Sequence, residues 1–183
     1  MNQKNKIHPH KFLMWIGLAS IVMMFAGLTS AYIVKSQQAS WQGILIPKSF
    51  WYSTAVILLS SLTLQMALRF FKDREMNKYR LLISATVILG LIFVAMQYFG
   101  FQELWAGGVT LQGSGAGQFL YVIAGLHGLH VLGGIIALLI IFIKAFFGNP
   151  KTYSSIPVEV TAMYWHFVDI LWVYLLIFFV WIG

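Results

Sequence analysis

Five long apolar runs, separated by short polar stretches, divide this chain at about residues 12–34, 49–68, 81–102, 118–143 and 160–182. Charged residues bound them: Lys11 and Lys35, Lys48 and Arg69, Arg80 and Glu103, Lys144 after the fourth, and Glu159 before the fifth. Crossing about 30 Å of hydrocarbon at about 1.5 Å per residue takes roughly 20 apolar residues in a helix. Each run therefore predicts one transmembrane helix. The expected fold is an all-α membrane protein, a bundle of five helices forming a single domain over residues 1–183.

Charge orients the bundle. Ten of the 12 Lys and Arg fall in the N-terminal segment, in "RFFKDREMNKYR" and in the connection after the fourth run; the other two lie in the first connection. This asymmetry predicts an inside N-terminus and an outside C-terminus. Composition agrees with a membrane location: 9% of residues are charged, 60% are hydrophobic and the mean hydropathy is +0.80. The net charge of +7 then meets anionic head groups rather than nucleic acid. With no cysteine, disulfides, thiolate metal sites and a cysteine nucleophile are excluded. The basic start "MNQKNKIHPHK" leads into a run too long for a signal core, so the first run is read as a retained span. "LQGSGAG" reads as a flexible loop, and Asn149-Pro150 and Pro157 punctuate the fourth connection.

Ionisable residues inside these runs carry the candidate chemistry. An ionised Asp at the centre of a span costs about 2.5–3.5 kcal/mol, so Asp169 needs a compensating neighbour. Glu159, Ala162, His166, Asp169 and Val173 fall on one helical face, and His166 and Asp169 could pair within the helix. In "GLHGLHVLGG", His127 and His130 stand about 60° apart around the helix axis. Gly134 lies between them in direction, and Ala124 and Gly128 beside them, which lets another helix approach closely. Spans four and five should be antiparallel neighbours with His130 and Asp169 at similar depth, so a contact between those two is expected. Imidazole is the commonest metal ligand, which makes a metal or haem site one reading. The first three runs supply no acid and no histidine to complete such a site, so hydrogen bonding and packing between helices is the better supplied reading.

Weaker polar signals accompany these. Ser60, Ser61, Thr63 and Gln65 in the second run, and Gln97 in the third, are expected to make interhelical hydrogen bonds of about 1 kcal/mol each. Trp41, Trp51, Trp105 and Trp181 read as interfacial belt residues. Met23, Met24 and Phe25 read as packing. "RFFKDREMNKYR" reads as a solvated loop able to meet anionic lipid or a partner subunit.

"HGLHV" and "YWHFVD", at this spacing in the last two runs, resemble subunit III of the haem–copper oxidases, the respiratory cytochrome c and quinol oxidases. "MWIGLASIVMMFAGLTSAY", "ILLSSLTLQMAL" and "LGLIFVAMQYFGFQE" are similar to that family's first three common helices, so nearly the whole chain is covered. Five spans match the shorter bacterial form, which lacks the family's first two. The resemblance implies a non-catalytic subunit without haem or copper of its own, those centres residing in subunits I and II. It implies packing against subunit I, bound phospholipid between helices, and support of proton uptake and of durable turnover. His127, His130, Glu159, His166, Asp169 and Gln97 would then form a buried polar network that sets helix packing. Membership of a respiratory supercomplex is a further expected partnership, and a bacterial plasma membrane the expected location.

Two positions depart from the family pattern. Ile21 stands where an acid usually follows "AS", and Gly100 where a Glu usually follows three residues after Gln97. The resemblance therefore assigns no membrane acid at these positions, and such chemistry would have to rest on Tyr32, Gln97 or Glu103. Two other function classes stay open from the residues alone. One is a haem- or quinone-binding electron carrier using His127, His130 and His166. The other is a proton-relaying transporter using Glu159, His166 and Asp169.

Overall fold

A computed structural model describes residues 9–38, 41, 43–44, 46–110, 115–147 and 155–182. The basic leader before residue 9, the "LQGS" stretch and Asn149-Pro150 lie outside the described residues, while Gly115, Ala116 and Gly117, expected to continue that loop, open a helix. Among the described residues five helices make up the fold: α1 (Pro9–Ser36), α2 (Lys48–Lys72), α3 (Met76–Ala106), α4 (Gly115–Phe147) and α5 (Ser155–Ile182). All five are long and apolar enough to cross a membrane. The chain is a multi-pass membrane protein.

Each helix outruns the apolar run that predicted it. α1 and α5 have 28 residues each, about 42 Å at helical rise, which matches a bilayer with its head-group regions. The clearest correction concerns "RFFKDREMNKYR". It is not a loop but two helix ends joined by the three residues Asp73, Arg74 and Glu75. The Arg74 and Glu75 N–H groups donate to the Phe71 and Phe70 carbonyls, closing α2 with a two-bond cap. Arg74 takes the left-handed position of that cap, at φ 61°, where glycine is usual. α3 ends in the same way, with Gly108 at φ 83° and Val109 N–H reaching back to Leu104 O.

α2 and α3 form the tightest antiparallel pair, and α5 packs on α1, α2 and α4. α4 closes the bundle against α3 and α1, while the backbones of α1 and α2 do not pack on each other among the described residues. Lipid chains are as apolar as leucine, so close fit and hydrogen bonds, not water exclusion, hold these helices together. The fit is most specific at Trp165 of α5, which is fully buried. Its ring enters a notch between Gly90 of α3 and Gly134 of α4. A Cβ on Gly90 would sit 3.2 Å from the ring, and one on Gly134 only 2.8 Å away. Gly128, expected to admit another helix, has open space beside it instead.

Hydrogen bonds reinforce this fit. The Trp165 and Trp172 indole N–H groups donate to Ser60 Oγ (3.2 Å) and Thr54 Oγ1 (3.0 Å) of α2. Between α2 and α3, the Thr63 and Thr86 hydroxyls bond at 2.9 Å and Ser60 Oγ donates to the Thr86 carbonyl at 3.3 Å. Trp51, Trp105 and Trp181 are exposed, all at the end of the bundle away from the α2–α3 turn. Trp41 is not a free belt residue: its ring stands edge-on to the buried Tyr32 at 4.8 Å. Met23 is likewise not packed inside but 76% exposed, whereas Phe25 is buried and Met24 lies against the core.

Candidate functional site

The ionisable side chains do not gather at one place. They form three groups at different depths, each built by different helices.

The first lies at the end of the bundle that holds the α2–α3 turn. Glu159, in the opening turns of α5, pairs with Lys11 of α1 at 2.5 Å and Lys72 of α2 at 3.4 Å. Helices α1 and α2, whose backbones do not approach closely among the described residues, are thereby tied to one carboxylate. Arg80 of α3 adds a second tie at this end, donating from Nε to the Ala145 carbonyl of α4 at 2.8 Å.

The second group lies near mid-depth between α2 and α5. His166 Nδ1 meets Ser61 Oγ at 2.5 Å and His166 Nε2 meets Gln65 Oε1 at 3.2 Å. Chemistry assigns the protons. An amide oxygen only accepts, so Nε2 carries the hydrogen; in the neutral ring Nδ1 then accepts from the Ser61 hydroxyl. Asp169 is 2% exposed, and neither of its oxygens meets hydrogen-bonding geometry with a described group. The expected pairing of His166 with Asp169 inside α5 is therefore corrected: spacing put both on one face, but serine and glutamine on α2 took the imidazole.

The third group surrounds His127 on α4. This ring is 2% exposed and stacks on Trp172 with centroids 5.1 Å apart and planes 26° from parallel. Phe25 of α1 meets it edge-on at 6.4 Å. Neither ring nitrogen has a hydrogen-bond partner among the described residues. His130 turns elsewhere, its Nδ1–H donating to the Leu126 carbonyl of its own helix at 2.7 Å. The expected contact between His130 and Asp169 is thus absent among the described residues. Counting residues matched their depth along the two helices, but not their direction around them.

A cavity of about 280 Å³ opens between α3 and α4 beside this group, lined by Phe93, Gln97, Phe101, His127, Gly128 and Trp172 among others. Gln97 bridges α3 to α2, its Nε2 donating to Ser53 Oγ at 2.9 Å. Its Oε1 is buried with no partner among the described residues. Nothing in the sequence marked this cavity, because Gly128 on its wall reads equally well as a helix contact.

The two departures from the family pattern have local reasons. Gly100 faces Phe50 so closely that a Cβ would lie 2.9 Å from the ring, leaving no room for an acid. Ile21 packs partly buried against the apolar core. Of the polar alternatives, Glu103 accepts from Ser49 at 2.7 Å near the surface, and Tyr32 is wholly buried among Trp41, Phe178 and Phe179. No three His, Asp or Glu side chains converge as a metal would require among the described residues.

Among the described residues, five helices long enough to cross a membrane share their interior polar groups between helix pairs, which defines a helical membrane bundle. The family model for cytochrome c oxidase subunit III matches residues 11–183. The probable cytochrome c oxidase subunit 3 of Nocardia farcinica is 33% identical over 163 residues, covering 86% of this chain and 80% of that protein. Cytochrome c oxidase subunit 3 of a Bacillus species is 28% identical over 171 residues, covering 91% and 83%. The probable quinol oxidase subunit 3 of Staphylococcus haemolyticus is 24% identical, covering 91% and 85%. The chain belongs to the subunit III family of the haem–copper oxidases.

Proposed function

We propose that this chain is the non-catalytic accessory subunit of a proton-pumping terminal oxidase that reduces oxygen to water. It packs against subunit I, with subunit II in the same complex, and those two subunits hold the haem and copper. Its end bearing Lys11, Lys72 and Arg74 faces the cytoplasm of a bacterium, a reading supported by the excess of Lys and Arg in the segments at that end. The electron donor, cytochrome c or quinol, is bound elsewhere in the complex.

One observation carries this reading: the interior polar side chains join helix to helix. Trp165 and Ser60, Trp172 and Thr54, Gln97 and Ser53, and His166 with Ser61 and Gln65 each span two helices. Such bonds stabilise a scaffold in hydrocarbon, each by about 1 kcal/mol. The α3/α4 cavity, lined largely by apolar side chains, has the character of a place for a lipid acyl chain. A scaffold of this kind supports proton uptake and durable turnover by holding subunit I and its lipids in place.

The test is to delete the chain in its host and purify the remaining oxidase. The initial rate of oxygen reduction should persist, while activity should decay faster during turnover and fall off at higher pH. Unchanged durability and pH dependence would overturn the supporting role. Abolished haem absorbance on loss of this chain alone would point instead to a cofactor held here.

A further inference from the structure

We propose that the seam between α2 and α5, at Ser61, His166 and Gln65, is a docking surface for a transmembrane helix of a partner subunit that presents a hydrogen-bond acceptor. The proposal rests on the reading of this chain as an oxidase subunit and adds the face and the chemistry of contact.

Depth is the first argument. Ser61 and Gln65 lie one and five residues past the midpoint of α2, about 2 and 8 Å along its axis. His166 lies within three residues of the midpoint of α5. A hydrocarbon layer extends about 15 Å to each side of its centre, so all three are well inside it. Yet Gln65 is exposed on this chain, and Ser61 and His166 are only partly buried. A polar group turned toward acyl chains meets no acceptor there, and leaving it unpaired is costly.

Hydrogen-bond bookkeeping is the second argument, and it names the chemistry. Ser61 donates to Nδ1 of His166, and Nε2–H of His166 donates to Gln65 Oε1. The chain of bonds therefore ends in the Gln65 amide NH2, whose two protons have no acceptor among the described residues. A group able to satisfy them is a carbonyl, hydroxyl or carboxylate oxygen.

Shape is the third. α1 and α2 both pack on α5 and not on each other. The outward face of α5 therefore stays open, with Ile170 and Ile177 exposed on it. Lys11, Glu159 and Lys72 bridge the two flanking helices at one end. An apolar helix with one acceptor at mid-depth fits a face of this kind. A lipid fits it less well, because its acceptor oxygens sit at the membrane surface rather than at the depth of Gln65.

The test uses the whole complex, purified in mild detergent through a tag on this chain. Photoreactive p-benzoylphenylalanine replaces Gln65, or Ile136 on the exposed face of α4 as a control. Crosslinking of position 65, but not 136, to another oxidase subunit is expected. If the chain copurifies with oxidase subunits but position 65 captures only lipid or a second copy of this chain, the docking face is wrong and the proposed function stands. If no oxidase subunit copurifies with the unsubstituted chain, the proposed function itself falls, and this inference with it. Gln65→Leu gives an independent sign. Docking predicts about fivefold weaker retention in the complex, the loss of one interhelical hydrogen bond. A lipid-facing Gln65 predicts unchanged or better retention, and that result would overturn the proposal.

Discussion

Gly134→Ala adds a single methyl group, at the most crowded point between helices. Its Cβ would lie 2.8 Å from Trp165 Cε3 and 3.0 Å from Cζ3. Carbon atoms in contact sit about 3.5–4.0 Å apart, so the ring or α4 must yield by roughly 0.7 Å. The ring has little freedom to do so. Gly90 abuts its far edge, where a Cβ would lie 3.2 Å away, and the indole N–H is tethered to Ser60 Oγ at 3.2 Å. Overpacking of this kind costs about 1–3 kcal/mol. Alanine's better helix propensity returns up to about 1 kcal/mol, so a net loss of up to about 2 kcal/mol is expected.

Gly128→Ala is the internal control. It lies on the same helix, but a Cβ there meets nothing within 4 Å. That variant should be neutral or slightly stabilised. Unfolding by SDS titration in mixed micelles, followed by tryptophan fluorescence, compares the two. A double variant sharpens the comparison: Trp165→Phe removes the benzo edge that the new methyl strikes. Gly134→Ala should therefore cost less in the Trp165→Phe background than in the native chain. Equal stability of the two glycine variants, or strict additivity in the double variant, would refute the notch as a determinant of helix packing.

Other substitutions test other joints. Gly100→Glu should strand a carboxylate against Phe50, whose ring a Cβ would meet at 2.9 Å; the folded yield should fall, and Phe50→Ala should recover part of it. Arg74→Gly should leave the α2–α3 turn intact or improve it, whereas Arg74→Val, β-branched at φ 61°, should destabilise the chain by about 1–2 kcal/mol in the same titration. Glu159→Gln should cost no more than about 1 kcal/mol, because its lysine partners reach solvent, and that cost should shrink at high salt. A loss independent of salt would contradict the pairing of Glu159 with Lys11 and Lys72.

The helices were legible because hydrocarbon imposes length and apolarity on anything that crosses it. Their ends were less so. Polar residues near a span end pass for loop, yet Arg69 to Lys72 and Met76 to Arg80 continue the helices, because helix geometry does not stop at the hydrocarbon boundary. In the candidate site, sequence spacing located His127, His166 and Asp169 in depth and on a helical face. It did not carry the rotation of one helix against another. For that reason His166 was expected beside Asp169 and is found bonded to Ser61 and Gln65. The seat of Trp165 between Gly90 and Gly134 was hidden for the same reason. It joins three helices at once, and pairwise spacing does not encode such a contact. Ser60, Ser61 and Thr63 of α2 were read as interhelical partners and are found so, whereas Ser53 and Thr54, which accept from Gln97 and Trp172, were not singled out.

The most direct test of the central claim is the company this chain keeps. Tagged in its host and extracted in mild detergent, it should bring down the haem-bearing subunit I and the copper-bearing subunit II, together with the visible absorbance of their haems. Recovery of the chain alone, or with membrane proteins unrelated to oxygen reduction, would contradict the account.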